Sequence, residues 1–322
     1  MNSKQIIADA WEFTRENKRI MWWYSFLPSL INTLVGIIYM TYQFFAFKRS
    51  PLFDNADQSF LVEMFGSVYN FLNKHQSLWI PTIVTVVVVL VLYTLLPTLC
   101  QGAIIKLTAK KRAGEHPGIA IGMSYGLLAF LPLLEYHLLI KTFSLFSVFT
   151  EAGFIARNLG AGFFNVLIPI FILLLVVGFF LNLLFTYSEF FIVLEKKPVL
   201  TAMGQSAKLV VSSWKHTFII GLLMLIIGLR VIINIIAVML VPALLFLSAG
   251  IFATITLKTM GIVISGVLSV LGLYLAAYMS GILNIFANAV WTFTFMSLRE
   301  EKDIKEIIDG KFFTNVKKIH IE

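Results

Sequence analysis

Four ionisable side chains interrupt long apolar runs of this sequence: Glu135, Lys141, Glu189 and Arg230. A charged group at the centre of a membrane costs about 2.5–3.5 kcal/mol on insertion scales, so each of them needs a partner or a polar cavity. Glu135, Lys141 and Arg230 are candidates for intramembrane ion pairs. We expect Arg230 to meet Glu135 and not to reach Glu189. Two interpretations stay open, namely ion pairs that fix the helix register and charges that line a polar cavity.

Polar side chains recur at helical spacing in the second, fourth and sixth apolar runs. Amides that face lipid lose hydrogen bonds that hydrocarbon cannot replace, so these stripes are expected to face inward. If a gap separates them, they form a polar cleft in the cytoplasmic half of the bundle; in direct contact they only hold the helices together. The candidate cleft residues are Gln101, Asn182, Glu189, Asn284 and Asn288.

A possible catalytic motif is the segment 122–126, GMSYG, which matches the G-x-S-x-G pattern of a serine nucleophile. That pattern needs a strand before the serine and a helix after it, with an acid and a histidine later in the chain. Gly118, Gly122 and Gly126 also recur every four residues, which is typical of close helix packing in membranes. We therefore interpret Ser124 as a residue of an interfacial helix and predict a protein without enzymatic activity.

The histidines and the cysteine do not indicate a metal or cofactor site. The five histidines are scattered along the chain, and Cys100 is the only cysteine, which excludes an internal disulfide. His137 is the one histidine inside a predicted span, and we interpret it as a polar contact between helices. No metal and no cofactor are expected.

The composition decides the class of protein that must position these residues. Of 322 residues, 59% are hydrophobic and 13% are charged, whereas soluble domains carry about 25% charged residues. A soluble protein of this size could not cover its surface with so few charges, and disordered and coiled-coil classes fail for the same reason. The sequence predicts an all-α, polytopic membrane helical bundle.

A membrane-spanning helix needs about 20 mostly apolar residues. Six runs satisfy this length, at residues 20–47, 78–106, 127–148, 162–194, 216–247 and 261–298. They form a single transmembrane domain, residues 1–298, followed by a charged tail, residues 299–322, with a short helix to Gly310. Between the first two runs, apolar residues at helical spacing predict an amphipathic helix on the outer surface; they are Leu61, Met64, Phe65, Val68 and Leu72.

The distribution of cations predicts the orientation. With alternate loops assigned to opposite sides, 18 lysines and arginines fall on the side of both termini and 5 on the other. Cytoplasmic loops are the ones enriched in these residues, so both termini are expected in the cytoplasm and the protein in the inner cell membrane. The net charge of +8 then indicates contact with anionic membrane lipids and not with nucleic acid. A protein partner is not identified.

Three segments share one plan and predict a threefold repeat. Residues 6–13, 118–126 and 200–208 are each short, amphipathic and rich in small residues, and each leads into a span. The second and third segments align without gaps, which pairs Gly122 with Gly204. The predicted repeats are residues 1–107, 108–195 and 196–298. All three begin on the same side, whereas alternating-access transporters more often contain inverted repeats.

One stretch supports a family resemblance. Residues 191–195 (FIVLE), Ala202, Ser206 and Trp214 resemble a pattern in the membrane domain found beside glycerophosphoryl diester phosphodiesterases, and in related six-span bacterial membrane proteins. The resemblance implies a helical fold in a bacterial cell membrane. It carries over no catalytic residue, because no segment here is long enough for the phosphodiesterase barrel. Two functions remain open: a non-enzymatic scaffold or envelope-homeostasis component, and a transporter or lipid-handling protein that uses the polar cleft.

Overall fold

The computed structural model describes residues 3–48, 60–141, 143–158, 160–230, 233, 236 and 258–308. Among these residues the regular elements are helices, without a β-strand. A π-helical segment, Met21–Phe26, and a 3₁₀ turn, Gln76–Leu78, lie between α-helices. The helices are α1 (Ser3–Glu16), α2 (Lys18–Ile20), α3 (Leu27–Lys48), α4 (Phe60–Lys74), α5 (Trp79–Arg112), α6 (Ile121–Lys141), α7 (Leu145–Asn158), α8 (Gly160–Leu184), α9 (Ser188–Glu195), α10 (Val199–Ser212), α11 (Trp214–Arg230) and α12 (Lys258–Ile308).

Within this part of the chain, five segments are long and apolar enough to cross a membrane. They are Lys18–Gln43, Gln76–Arg112, Ile121–Ile140, Gly162–Glu195 and Gly266–Glu300. Helices α10 and α11 meet at a bend of 97° and would form a sixth span if they act as one. The protein is therefore an all-α, polytopic membrane helical bundle, as the composition predicts.

Two buried clusters hold the bundle together. The first joins α1, the π-helical segment, α5 and α12 and includes the fully buried Ile104 and Ile285. The second joins α5, α6, α9, α10 and α12 and includes the fully buried Leu133. Helices α5 and α12 take part in both clusters and connect them, and α5 also carries side chains of the site described below.

Helices α5 and α6 approach each other at glycines. An added Cβ at Gly126 would overlap the backbone carbonyl oxygen of Leu99, and one at Gly102 would lie 3.4 Å from the Gly126 Cα. An added Cβ at Gly122 would lie 2.6 Å from a methyl group of Leu107. Close packing is confirmed at Gly122 and Gly126. It is wrong for Gly118, which is exposed and lies before α6; among the described residues, an added Cβ there would meet a methyl group of Ile121 at 3.9 Å, an ordinary contact distance.

The predicted boundary of the third span is wrong. The chain turns after α6, where the Ser144 hydroxyl accepts a hydrogen bond from the Ser147 backbone N–H at 3.1 Å and caps α7. The chain therefore starts a new helix before residue 148. Of the fifth run, residues 216–230, 233 and 236 are described, and the remainder to 247 lies outside the described residues.

The short predicted elements have different outcomes. The amphipathic helix between the first two spans is confirmed as α4. The first and third repeat segments are separate helices, α1 and α10, whereas the segment 118–126 runs into the first turns of α6. Helix α12 continues from the last span to Ile308, so the charged tail begins inside it; Gly310 lies outside the described residues.

Candidate functional site

The candidate site forms where one span is broken. The apolar segment Gly162–Glu195 consists of α8 and α9, separated by a turn at residues 185–187. Ser206 of α10 donates a hydrogen bond to the Leu184 carbonyl at 2.8 Å and accepts one from the Tyr187 backbone N–H at 3.0 Å. The Tyr136 hydroxyl donates to the Phe185 carbonyl at 3.0 Å. Backbone groups inside a membrane must be satisfied by protein, and these contacts make the break possible.

Replacement of Ser206 by alanine is expected to destabilise the broken span. In this variant the Leu184 carbonyl and the Tyr187 N–H lose their hydrogen bonds to the Ser206 hydroxyl. A buried backbone group without a partner costs about 1–3 kcal/mol. Thermal unfolding in detergent should therefore occur at a lower temperature. Ser212→Ala is the matched control, because the Ser212 hydroxyl bonds only within α10, to the Leu209 carbonyl. Equal melting temperatures for the two variants would contradict the prediction.

The break places Glu189, in the first turn of α9, against α5 and α6. Its carboxylate accepts a hydrogen bond from the Gln101 amide and lies 2.9 Å from His137 Nε2. The other ring nitrogen, His137 Nδ1, lies 3.2 Å from the Thr98 hydroxyl. We call Thr98, Gln101, His137 and Glu189 the Glu189 cluster. It joins three helices through side-chain hydrogen bonds.

The Glu189 side chain lies among hydrogen-bond donors at the start of a helix. The positive end of the α9 dipole lies at its first turn and favours a carboxylate there. A neutral His137 with its proton on Nε2 donates to Glu189 and accepts from Thr98, whereas a protonated ring donates from both nitrogens. Either state of His137 fits the same heavy-atom positions, so the ring can gain or lose a proton within the cluster.

A cleft of about 390 Å³ opens beside the Glu189 cluster, between α3, α5, α6 and α8. Its size lies within the range of roughly 300–1,000 Å³ that is typical of small-ligand sites. We call it the polar cleft. The polar side chains that line it come from several helices and are Asn32, Tyr93, Thr94, Thr98, Tyr136, His137, Ser144, Asn182 and Glu189.

The structure brings together three of the five predicted cleft residues. Gln101 and Glu189 are in direct contact, and Asn182 lines the polar cleft. The Asn182 side chain also donates hydrogen bonds to the carbonyls of Phe143, at 3.1 Å, and Gly178, at 2.7 Å. Its amide nitrogen is therefore already bonded to the backbone.

The two asparagines of α12 are placed differently. Asn288 donates to the Asn284 side chain at 2.6 Å and to the Asn284 carbonyl at 2.9 Å. Neither lines the polar cleft. Residues four apart on a helix are neighbours, so these amides satisfy each other without another helix. The stripe on α12 therefore does not contribute side chains to the site.

The expected pair between Glu135 and Arg230 does not form. Both side chains are exposed, and no ion pair joins them among the described residues. The Lys141 side chain lies outside the described residues. The ionisable contact inside the bundle is instead His137–Glu189, which confirms His137 as a polar contact between helices. Sequence reasoning named both residues but did not pair them.

Ser124 is exposed in the first turns of α6, and its hydroxyl donates to the Ile121 carbonyl at 2.7 Å. The strand that a nucleophile elbow requires does not precede it, since the residues before α6 form turns. Among the described residues, no group of three or more His, Cys, Asp or Glu side chains is placed to hold a metal ion. No family model, curated protein or solved structure matches this chain. The chemistry of the polar cleft is therefore the basis for assigning a function.

Proposed function

We propose that this protein is a bacterial inner-membrane transport protein that binds a small cationic solute in the polar cleft, with both termini in the cytoplasm. The observation that carries the proposal is Glu189, a carboxylate inside the bundle that lines a cleft at the break of a span. Of the two functions that the sequence leaves open, this arrangement favours transport over a scaffold. The cation count of 18 against 5 supports the orientation.

The placement of Glu189 supports binding more than simple helix pairing. Ionisable residues inside spans face the bundle interior or a cavity and often mark substrate pathways. The Glu189 side chain is 19% exposed, so it is not sealed in an apolar core. Broken helices also line the substrate sites of many transporters.

The lining of the polar cleft indicates the chemical class of the solute. Carboxylate and amide oxygens from Glu189, Asn32 and Asn182 can accept hydrogen bonds from a charged nitrogen. Tyr93 and Tyr136 add aromatic faces, which attract cations. Among the described lining residues His137 is the one that can carry a positive charge, and it is already paired with Glu189. A small amine or guanidine fits this chemistry better than an anion.

Proteoliposomes on a solid-supported membrane test the proposal. Methylammonium, guanidinium and choline are applied in turn, and the charge displaced on binding is recorded as a transient current. The wild-type protein is expected to respond to at least one of them. Glu189→Gln should weaken the apparent affinity roughly tenfold or more, because a hydrogen bond to a charged group contributes about 1.5–3 kcal/mol.

Glu135→Gln is the matched control for this experiment, since Glu135 is an exposed carboxylate of α6 that does not line the polar cleft. It should respond like the wild type. A folded wild-type protein without a current for any of the three cations would contradict the proposal and favour the scaffold function. Equal losses in Glu135→Gln and Glu189→Gln would also contradict it.

A further inference from the structure

A second cleft, of about 330 Å³, lies between α5, α6 and the end of α9. Three of its lining residues are lysines: Lys106 of α5, and Lys196 and Lys197 from the turn after α9. We call it the lysine cleft. Its remaining walls are largely apolar and are formed by Tyr125, Leu128, Ala129, Pro132, Ile192 and Val193.

The backbone holds two of these lysines in place. Helix α9 ends with Lys196 in the left-handed conformation, at φ 54°, and the Lys197 N–H donates to the Phe191 carbonyl at 3.2 Å. Pro198 then starts the connection to α10. Among the described residues other than glycine, Lys196 alone has a positive φ. Glycine adopts this conformation without strain, so a lysine there indicates a role for its side chain.

The three lysines lack a carboxylate partner. Two acids lie close to these lysines in the sequence, and each already forms an ion pair. Glu195 Oε1 lies 2.8 Å from Arg299 Nε, and Glu115 Oε2 lies 2.5 Å from Lys110 Nζ. Among the described residues, no carboxylate lies within 4.0 Å of a lysine of the cleft. Lys106 Nζ lies 3.5 Å from the Leu194 carbonyl oxygen. Converging like charges of this kind are stabilised by a bound anion.

The apolar wall indicates that the anion has a hydrocarbon part. Leu128, which lines the cleft, is 76% exposed, and Leu131, outside the cleft on the same helix α6, is 71% exposed; both lie within the apolar segment Ile121–Ile140. The same end of the bundle carries further cations in the last turn of α5, namely Lys110, Lys111 and Arg112. Basic clefts between spans, next to a membrane surface, are typical sites for anionic lipid headgroups.

We propose that the lysine cleft binds the headgroup phosphate of an anionic phospholipid, with an acyl chain along Leu128 and Leu131. The three ammonium groups donate charge-assisted hydrogen bonds to the phosphate oxygens. The acyl chain covers side chains of α6 that would otherwise contact bulk lipid. This site is separate from the polar cleft, and the proposal does not depend on cation binding at Glu189.

Native mass spectrometry of the purified protein tests the proposal. Detergent-solubilised protein is titrated with dioleoyl phosphatidylglycerol and, separately, with the zwitterionic dioleoyl phosphatidylcholine. Phosphatidylglycerol should remain bound preferentially, and its affinity should fall roughly fivefold for each lysine removed in Lys106→Gln, Lys196→Gly and Lys197→Gln. Lys208→Gln, an exposed lysine of α10 outside the cleft, should bind like the wild type.

Lys196→Gly separates lipid binding from folding. Glycine relieves the left-handed backbone, so this variant should unfold without lipid at the same temperature as the wild type or higher, and still bind phosphatidylglycerol more weakly. Undiminished binding in Lys196→Gly and in a variant that combines it with Lys106→Gln and Lys197→Gln would overturn the proposal, as would equal affinity for the two lipids. Inorganic phosphate that displaces the lipid at an equal concentration would also overturn it, in favour of a soluble anion. The cation currents that test Glu189 are recorded separately, so each proposal can fail alone.

Discussion

Replacement of Gly126 by alanine is expected to separate α5 from α6 and to destabilise the protein strongly. The added methyl group would overlap the carbonyl oxygen of Leu99. This oxygen belongs to the backbone of a long helix and cannot rotate away as a side chain can. Overpacking of this kind costs about 1–3 kcal/mol. The contact lies beside the first buried cluster, against which Leu99 packs. Thermal unfolding in detergent and the fraction of monodisperse protein in gel filtration would measure the effect.

The control for this variant is Gly204→Ala. Gly204 lies on α10, and an added Cβ there would meet nothing within 4 Å. Alanine is a better helix former than glycine by up to about 1 kcal/mol, so Gly204→Ala should leave the protein unchanged or slightly more stable. Gly126 and Gly204 both lie within α-helices, so the two substitutions differ mainly in the space around the added methyl group. Equal stabilities of Gly126→Ala and Gly204→Ala would show that α5 and α6 do not approach at this point.

Glu189→Leu is expected to disrupt the Glu189 cluster. The variant removes the acceptor of the Gln101 amide and of His137 Nε2. Each donor left without a partner in this partly buried site costs about 1–3 kcal/mol. Thermal unfolding should therefore occur at a clearly lower temperature. Glu189→Gln keeps an acceptor oxygen at the same place and should be milder.

A double-mutant cycle identifies the contact behind this effect. Glu189→Gln and His137→Gln are measured alone and together, and neighbouring groups in one hydrogen-bond network show coupling of about 0.5–3 kcal/mol. Glu135→Leu provides the control, because Glu135 is exposed and does not pair with Arg230; it should be neutral or stabilising. Additive effects of the Glu189 and His137 substitutions would show that the cluster does not form. The stability result is independent of the cation currents, for which the folded Glu189→Gln protein is used.

The sequence by itself predicts which segments enter the membrane. An apolar run of sufficient length is a property of neighbouring residues, and it depends little on what the other helices do. For the same reason the glycines at 122 and 126 could be assigned to close packing, since their spacing alone aligns them on one face of α6. The amphipathic helix α4 was predicted on the same grounds.

The break between α8 and α9 could not be predicted in this way. Residues 185–187 are Phe, Thr and Tyr, without a glycine or a proline to interrupt the helix. The groups that satisfy the broken backbone are Tyr136 and Ser206, which are far from the break in sequence. In the sequence, Ser206 stands out only as one of the residues that carry a family resemblance, and nothing there connects it with the break.

The partners of the polar residues were also decided by the tertiary structure. Sequence periodicity shows that Glu189 lies on a polar stripe, but the rotation of α9 relative to α5 and α6 determines whether it meets His137, Gln101 or Arg230. The side chains of Asn284 and Asn288 form a hydrogen bond within α12. A polar stripe that is expected to face inward does not reveal this contact. Hydrophobicity acts on each segment separately and can be read along the chain. A hydrogen bond between helices depends on the positions of two atoms, and only the packed bundle fixes these.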